Sequence, residues 1–149
     1  MKRLAVIGLV ALSAACVTQP TASSSPAATG EPAALTDAAI RELIVGGWIV
    51  SAESDYYIPG FSETLWEEFT EDGAEIVHVY EDDTCVKEIE TMNTRWSIND
   101  GVLITDYDDG SRDRDQVVSI DQQSMTLKLE DGTTGIRKRA DGCGDRSSI

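Results

Sequence analysis

A single histidine, His78, is the scarcest chemical resource of this 149-residue chain. A Ser–His or Cys–His nucleophile needs an imidazole held by an orienting acid, and a histidine-based zinc site needs further ligands around it. No Gly-x-Ser-x-Gly occurs, and no second histidine could complete a zinc site. These absences argue against hydrolytic and zinc chemistry, and the expectation is a protein that is not an enzyme and uses no cofactor or metal. Positive charge is also scarce, with 12 basic residues against 27 acidic ones. Such a field repels nucleic acid and anionic head groups and favours cationic partners, or simply keeps the domain soluble. No apolar run approaches the about 20 residues that cross a bilayer. The longest apolar and small-residue stretch is Leu4 to Ala15.

That stretch has the order of an export signal. Lys2 and Arg3 supply the positive start, the apolar run follows, and Ser13-Ala14-Ala15 leads into Cys16. Leu12-Ser13-Ala14-Ala15-Cys16 resembles a lipobox, although the common pattern places Leu three positions before the cysteine and here Ser13 stands there. Cleavage by an ordinary signal peptidase after Ala15 is the alternative. With three cysteines in an exported chain, lipidation of Cys16 leaves Cys85 and Cys143 as an even pair for a disulfide. The expected organisation is a signal over residues 1–15, a lipidated cysteine and tether over 16–34, and a domain over 35–149. Loss of Lys2 and Arg3 leaves 10 basic against 27 acidic residues, a net −17. Val17 stands where an aspartate would signal inner-membrane retention, so the expected location is the outer membrane, with soluble periplasmic protein as the alternative. The tether holds Pro20, Pro26 and Pro32 among Ser, Thr, Ala and Gly, with too little apolar surface to fold.

Order is expected from Leu35. Thr36 suits an N-cap, Asp37 the first helical turn, and Ile40, Leu43 and Ile44 one apolar face, with Gly46-Gly47 as the stop. After that the helical period disappears. Nine short β-type runs follow: 48–52, 65–70, 74–80, 85–89, 94–98, 102–105, 116–120, 125–129 and 135–139. Turn residues such as Glu71-Asp72-Gly73, Asn99-Asp100-Gly101 and Asp131-Gly132 punctuate them. This is an antiparallel meander, and closing it into a barrel removes its edges, with a two-sheet sandwich as the other solution.

The short helix running into Gly46-Gly47-Trp48 resembles the Gly-x-Trp opening of lipocalins. Phe69-Thr-Glu-Asp-Gly73, Arg95-Trp96-Ser-Ile-Asn-Asp-Gly-Val-Leu103, Val118-Ser-Ile-Asp-Gln-Gln-Ser-Met-Thr-Leu127 and Ile136-Arg-Lys-Arg139 resemble the lipocalin-like domains of small bacterial lipoproteins. The resemblance spans most of 35–139. It implies an all-β, single up-and-down barrel of about eight strands, with Arg137 or Arg139 packed over Trp48. It also implies a small apolar ligand. Residues expected to face it are Tyr56, Tyr57 and Phe61 in the aromatic connection after the first strand, together with Phe69, His78 and Trp96. That connection closes the mouth as a lid or forms a rim for a ligand or partner.

Two further readings belong here. Asp106-Tyr-Asp108-Asp109-Gly110-Ser-Arg-Asp113-Arg-Asp115 invites a calcium loop, but counted from Asp106 the glycine comes one position early and Val117 replaces the closing glutamate. A solvated hairpin loop is the better reading. The alternative function is a protein-interaction or inhibitor module that uses the acidic surface against a cationic enzyme. A monomer is expected in either case.

Overall fold

The computed structural model describes residues 35–145; the export signal, Cys16 and the tether lie outside the described residues. One helix, α1 (Asp37–Ile44), precedes eight strands: β1 (Gly46–Val50), β2 (Leu65–Phe69), β3 (Ala74–Tyr80), β4 (Glu88–Asn99), β5 (Val102–Asp106), β6 (Arg112–Ile120), β7 (Ser124–Lys128) and β8 (Thr134–Arg139). Each strand pairs antiparallel with its sequence neighbours, and β1 pairs with β8 to close the barrel. Closure leaves no free edge, the reason this route is preferred over an open meander.

Local chemistry starts the fold as expected. Thr36 caps α1, its hydroxyl accepting from the Ala39 amide at 3.2 Å. Asp37 does more than suit the first turn. Its carboxylate accepts from the amides of Asp100 and Gly101 at 2.9 and 2.8 Å, which ties the helix across the β4–β5 turn. Ile40 and Ile44 turn inward and close one end of the barrel.

Two strand expectations are corrected. The runs 85–89 and 94–98 are parts of one strand, β4, apart from Cys85 to Lys87, which lie in the turn before it. Thr91 to Asn93 lack β-breaking Gly or Pro, and they pair with β3 from Ile76 to His78. Likewise β6 begins at Arg112 rather than Gln116. The Asp106–Asp115 segment is therefore mostly hairpin, with only residues 107–111 outside the ladder. Alternating charges there hide a strand, since Arg112 ion-pairs with Asp106 across the ladder while Asp113 and Asp115 take the other face.

The opening glycines and tryptophan meet β8 as a lipocalin-like clamp. Trp48 is fully buried, and its indole N–H donates to the Ile44 carbonyl at 2.7 Å. Arg139, not Arg137, lies over the ring at 3.8 Å from its centroid. Its guanidinium donates to the carbonyls of Val45, at 2.8 Å, and Leu43, which satisfies orphan carbonyls at the end of α1. Gly46 makes this approach feasible: it has a φ of +119°, and a Cβ there would come within 2.6 Å of Arg139 Nη1. Trp48, Phe69, Trp96, Ile98, Leu103, Met125 and Leu127 fill the barrel beneath α1.

The expected disulfide is present. Cys85 and Cys143 are bonded with Cα atoms 5.7 Å apart, across 58 residues of sequence. It pins the segment after β8 beside the 3-10 turn at Ser62–Thr64, where both sulfurs approach the Glu63 carbonyl.

Candidate functional site

Strand register decides what the barrel interior contains. Directly paired residues project from the same face of a sheet, so each partner of an apolar core residue also points inward. Trp48 is opposite Glu67, Phe69 opposite Glu75, and Glu75 opposite Thr94. Trp96 is opposite Thr105, Leu103 opposite Asp115, Leu127 opposite Gly135, and Val50 opposite Arg137. The interior thus has two layers. An apolar layer lies under α1, and a polar, mostly acidic layer lies toward the open end.

Within the polar layer the groups hold one another. Arg137 donates through Nε and Nη2 to both oxygens of Glu67, and the two side chains are only 12% and 10% exposed. Burial opposes the Arg137 charge, but Glu67 beside it outweighs that and keeps the guanidinium protonated. Glu75 accepts from the hydroxyls of Thr94 and Thr105, each at 3.0 Å. Burial, reinforced by the nearby Glu67 charge, raises its pKa above the ordinary carboxyl value despite those hydrogen bonds. Asp115 is raised by burial too, with Arg137 pulling the other way.

The connection between β1 and β2 lies against β8. Ser54 exchanges hydrogen bonds with the Ile136 backbone, and Asp55 binds the Thr134 amide with its carboxylate at 2.6 Å. This places the Tyr56 ring over Gly135, where an added Cβ would sit 2.8 Å from the ring and 3.2 Å from Leu129. Gly135 is therefore the space that Tyr56 occupies. Two buried polar atoms at this level, Tyr56 Oη and Arg137 Nη1, have no hydrogen-bond partner among the described residues. Neither residue lines the solvent-facing cavity of about 210 Å³ nearer the rim, whose walls are Asp113, Asp115, Leu129, Glu130 and Asp131.

The six residues expected to face a ligand are not brought together. Phe69 and Trp96 meet edge to face at 5.8 Å in the filled layer beneath α1, where they are packing residues. Tyr56 points into the open end. Tyr57 turns to Glu63, its hydroxyl donating to that carboxylate, and Phe61 stays half exposed on the lip beside Ile58. His78 pairs with Trp66 on the outer wall, the rings stacked at 4.7 Å, and its Nδ1 lies 3.0 Å from Glu88. Of the aromatic connection, Tyr56 alone packs over Gly135. The buried charges Glu67, Glu75, Asp115 and Arg137 were missed, and their signal was present: in the β2 run Leu65–Phe69, Glu67 shares the parity of Phe69.

A closed, eight-stranded antiparallel barrel with a short N-terminal helix, a Gly-Gly-Trp opening and an arginine clamped over that tryptophan is a lipocalin-like fold. No protein-family model matches the sequence, and no curated protein matches it. Among solved structures, an uncharacterized protein from Bacteroides eggerthii superposes with a TM-score of 0.52 at 12% identity, covering 65% of this chain and 99% of that one. A lipocalin-like protein from Bacteroides uniformis gives a TM-score of 0.49 at 14% identity, covering 65% and 98%. At 12% identity the first of these speaks to fold alone.

Proposed function

We propose that this chain is an exported, lipid-anchored binding protein, not an enzyme, that holds a small ligand at the open end of its barrel. The observation that carries this reading is the two-layered interior. Apolar side chains fill the end beneath α1, whereas the open end combines a solvent-facing cavity with buried donors that have no acceptor. A core evolved only for stability has little reason to leave such atoms, because each unmet buried donor costs about 1–3 kcal/mol.

The anchoring half of the proposal rests on the sequence. Cys16 would receive diacylglycerol, and the tether to Ala34 would hold the domain off the membrane, most naturally the outer one. An apolar ligand, the expectation from the family resemblance, would compete for the volume that Phe69 and Trp96 already occupy. The cavity of about 210 Å³ also falls below the roughly 300–1,000 Å³ of drug-sized sites, so the ligand is small. A second reading, a module docking a cationic protein, draws on exposed Ile58 and Phe61 at a lip flanked by Glu53, Asp55 and Glu63. Retention on a lysozyme column that is lost with salt would favour it.

Native mass spectrometry of the protein released gently from its membrane tests the main reading. A co-purifying small molecule lost on unfolding is the expected result. Apo protein from every growth condition, together with no small-molecule binding at the barrel mouth, would overturn it. Fractionation tests the anchor: Cys16→Ser should move the protein from the membrane to the soluble fraction, and unchanged membrane association would refute lipidation.

A further inference from the structure

We propose that the uncovered edge of β4, Glu88 to Thr94, takes an extended, basic segment of a partner protein as an added strand. The small-ligand reading is not needed for it.

Barrel closure gives every strand two neighbours, but the neighbours differ in length. β4 has 12 residues and pairs with β3 from Glu88 to Arg95. β5 meets it only from Arg95 to Asn99, because the chain turns away after Asp106 into the loop before β6. Glu88 to Thr94, roughly 20 Å of strand, therefore has a paired neighbour on one side alone. The Trp96 amide donates to the Gly73 carbonyl, on the β3 side. Backbone groups alternate in direction along a strand, so those of Thr94 and Met92 also face β3. The amides and carbonyls of Thr91 and Asn93 face the other way and bond to no described residue. Glu88 to Asn93 are all exposed.

The side chains along this edge select its occupant. No Pro, Gly or Lys stands in residues 88–94, so the residues that usually blunt an edge against any strand are missing. Met92 pairs with Val77 and so shares the inner face with Glu67, yet it is 44% exposed. Ile89, left out of the pairing by a register shift at Val79/Tyr80, is 56% exposed. Glu90 lies on the face of Met92, and Glu88 lies outward against His78. Asp106, Asp108 and Asp109 follow where β5 turns away. The flanking cations are engaged, Lys87 with Glu81 and Arg95 with the Asp72 carbonyl. A second copy of this chain fits badly. Edge-to-edge pairing would bring two Glu88 and two Glu90 into one short ladder, between chains of net charge −15. A strand with lysine or arginine two residues from an aliphatic side chain meets Glu90 and Met92 together on one face, while its backbone pairs with Thr91 and Asn93.

Hydrogen exchange read by amide NMR on the isotope-labelled full chain in detergent tests this. The probe is acetyl-Lys-Thr-Val-Thr-Lys-Thr-Val-amide, which carries lysine and valine on one face. In the free protein Thr91 and Asn93 should exchange fast, and Met92 and Thr94, bonded to β3, slowly. The probe should slow Thr91 and Asn93 by about tenfold or more and leave Met92 and Thr94 as they were. Its glutamate counterpart and its backbone N-methylated form should each bind at least about tenfold more weakly. Thr91→Pro should abolish binding in a folded barrel, since proline is tolerated where its missing N–H faces no neighbour. Glu90→Lys, which leaves the backbone untouched, should turn the preference toward the glutamate peptide, and an unaltered preference would overturn the proposal. Equal binding of the N-methylated peptide would mean charge attraction without a ladder and overturn it as well. So would a folded Thr91→Pro variant that binds like wild type, or a lysine peptide that protects neither Thr91 nor Asn93. Slow exchange at these two amides in the free protein, deepening with concentration, would put a second copy on the edge and overturn the basic partner.

Discussion

Replacing Arg137 with Met strands the Glu67 carboxylate at a position only 10% exposed, and the cost follows from that burial. In the native protein Glu67 receives two hydrogen bonds from one guanidinium. Removing one partner of a buried ion pair costs about 3–5 kcal/mol, because the remaining charge keeps its desolvation penalty and loses its compensation. Against a total stability of about 5–15 kcal/mol for a domain this size, that is a fifth or more. At about 4 °C per kcal/mol, the midpoint of thermal unfolding should fall by about 12–20 °C. One control separates charge stranding from lost packing. Glu67→Leu combined with Arg137→Met should recover most of the loss, since no buried charge remains. Circular dichroism melts of wild type, the single variant and the double variant are the assay. A single variant within about 1 kcal/mol of wild type, or a double variant worse than the single, would refute the buried-pair argument.

Three further outcomes are expected. Replacing Cys85 and Cys143 by Ala should cost about 4 kcal/mol, the loop-closure entropy of a 58-residue separation, measured by urea unfolding; equal stability with and without reductant would contradict it. Burial raises the folded-state pKa of Glu75, so wild-type stability has a contribution that is intact below the unfolded carboxyl value of 4.5 and declines as the pH rises toward the raised one. Glu75→Gln lacks that decline, and its melting temperature relative to wild type should climb between pH about 4 and 7; a flat difference would sink the assignment. Gly135→Ala, which sets a methyl 2.8 Å from the Tyr56 ring, should cost about 1–3 kcal/mol alone and little in a Tyr56→Ala background. The same cost in both backgrounds would mean that Tyr56 does not occupy that space.

Much of this molecule is written in short-range chemistry. Thr36 and Asp37 announce the helix, Asn99-Asp100-Gly101 and Asp131-Gly132 announce tight turns, and Met125-Thr-Leu127-Lys alternates as a half-buried strand must. These signals are local, because capping and turn geometry depend on a handful of neighbours. Odd cysteine arithmetic, an argument about compartment rather than geometry, picked out Cys85 and Cys143. The choice of Arg139 over Arg137 for Trp48 was not legible. Both arginines project to the same side of β8, and only the offset at which β8 meets β1 pairs Trp48 with Arg139 and Val50 with Arg137. The same holds for the polar layer. Glu67, Glu75 and Asp115 read as solvent-facing acids in an acidic chain until barrel closure turns their faces inward. Tyr56 reads as one of several loop aromatics until Ser54 and Asp55 dock on β8 and Gly135 leaves room for its ring. His78 went the other way, to the outer wall. A strand's period of two says that its faces differ; which face is enclosed depends on pairing partners many residues away, and that is a property of the closed barrel alone.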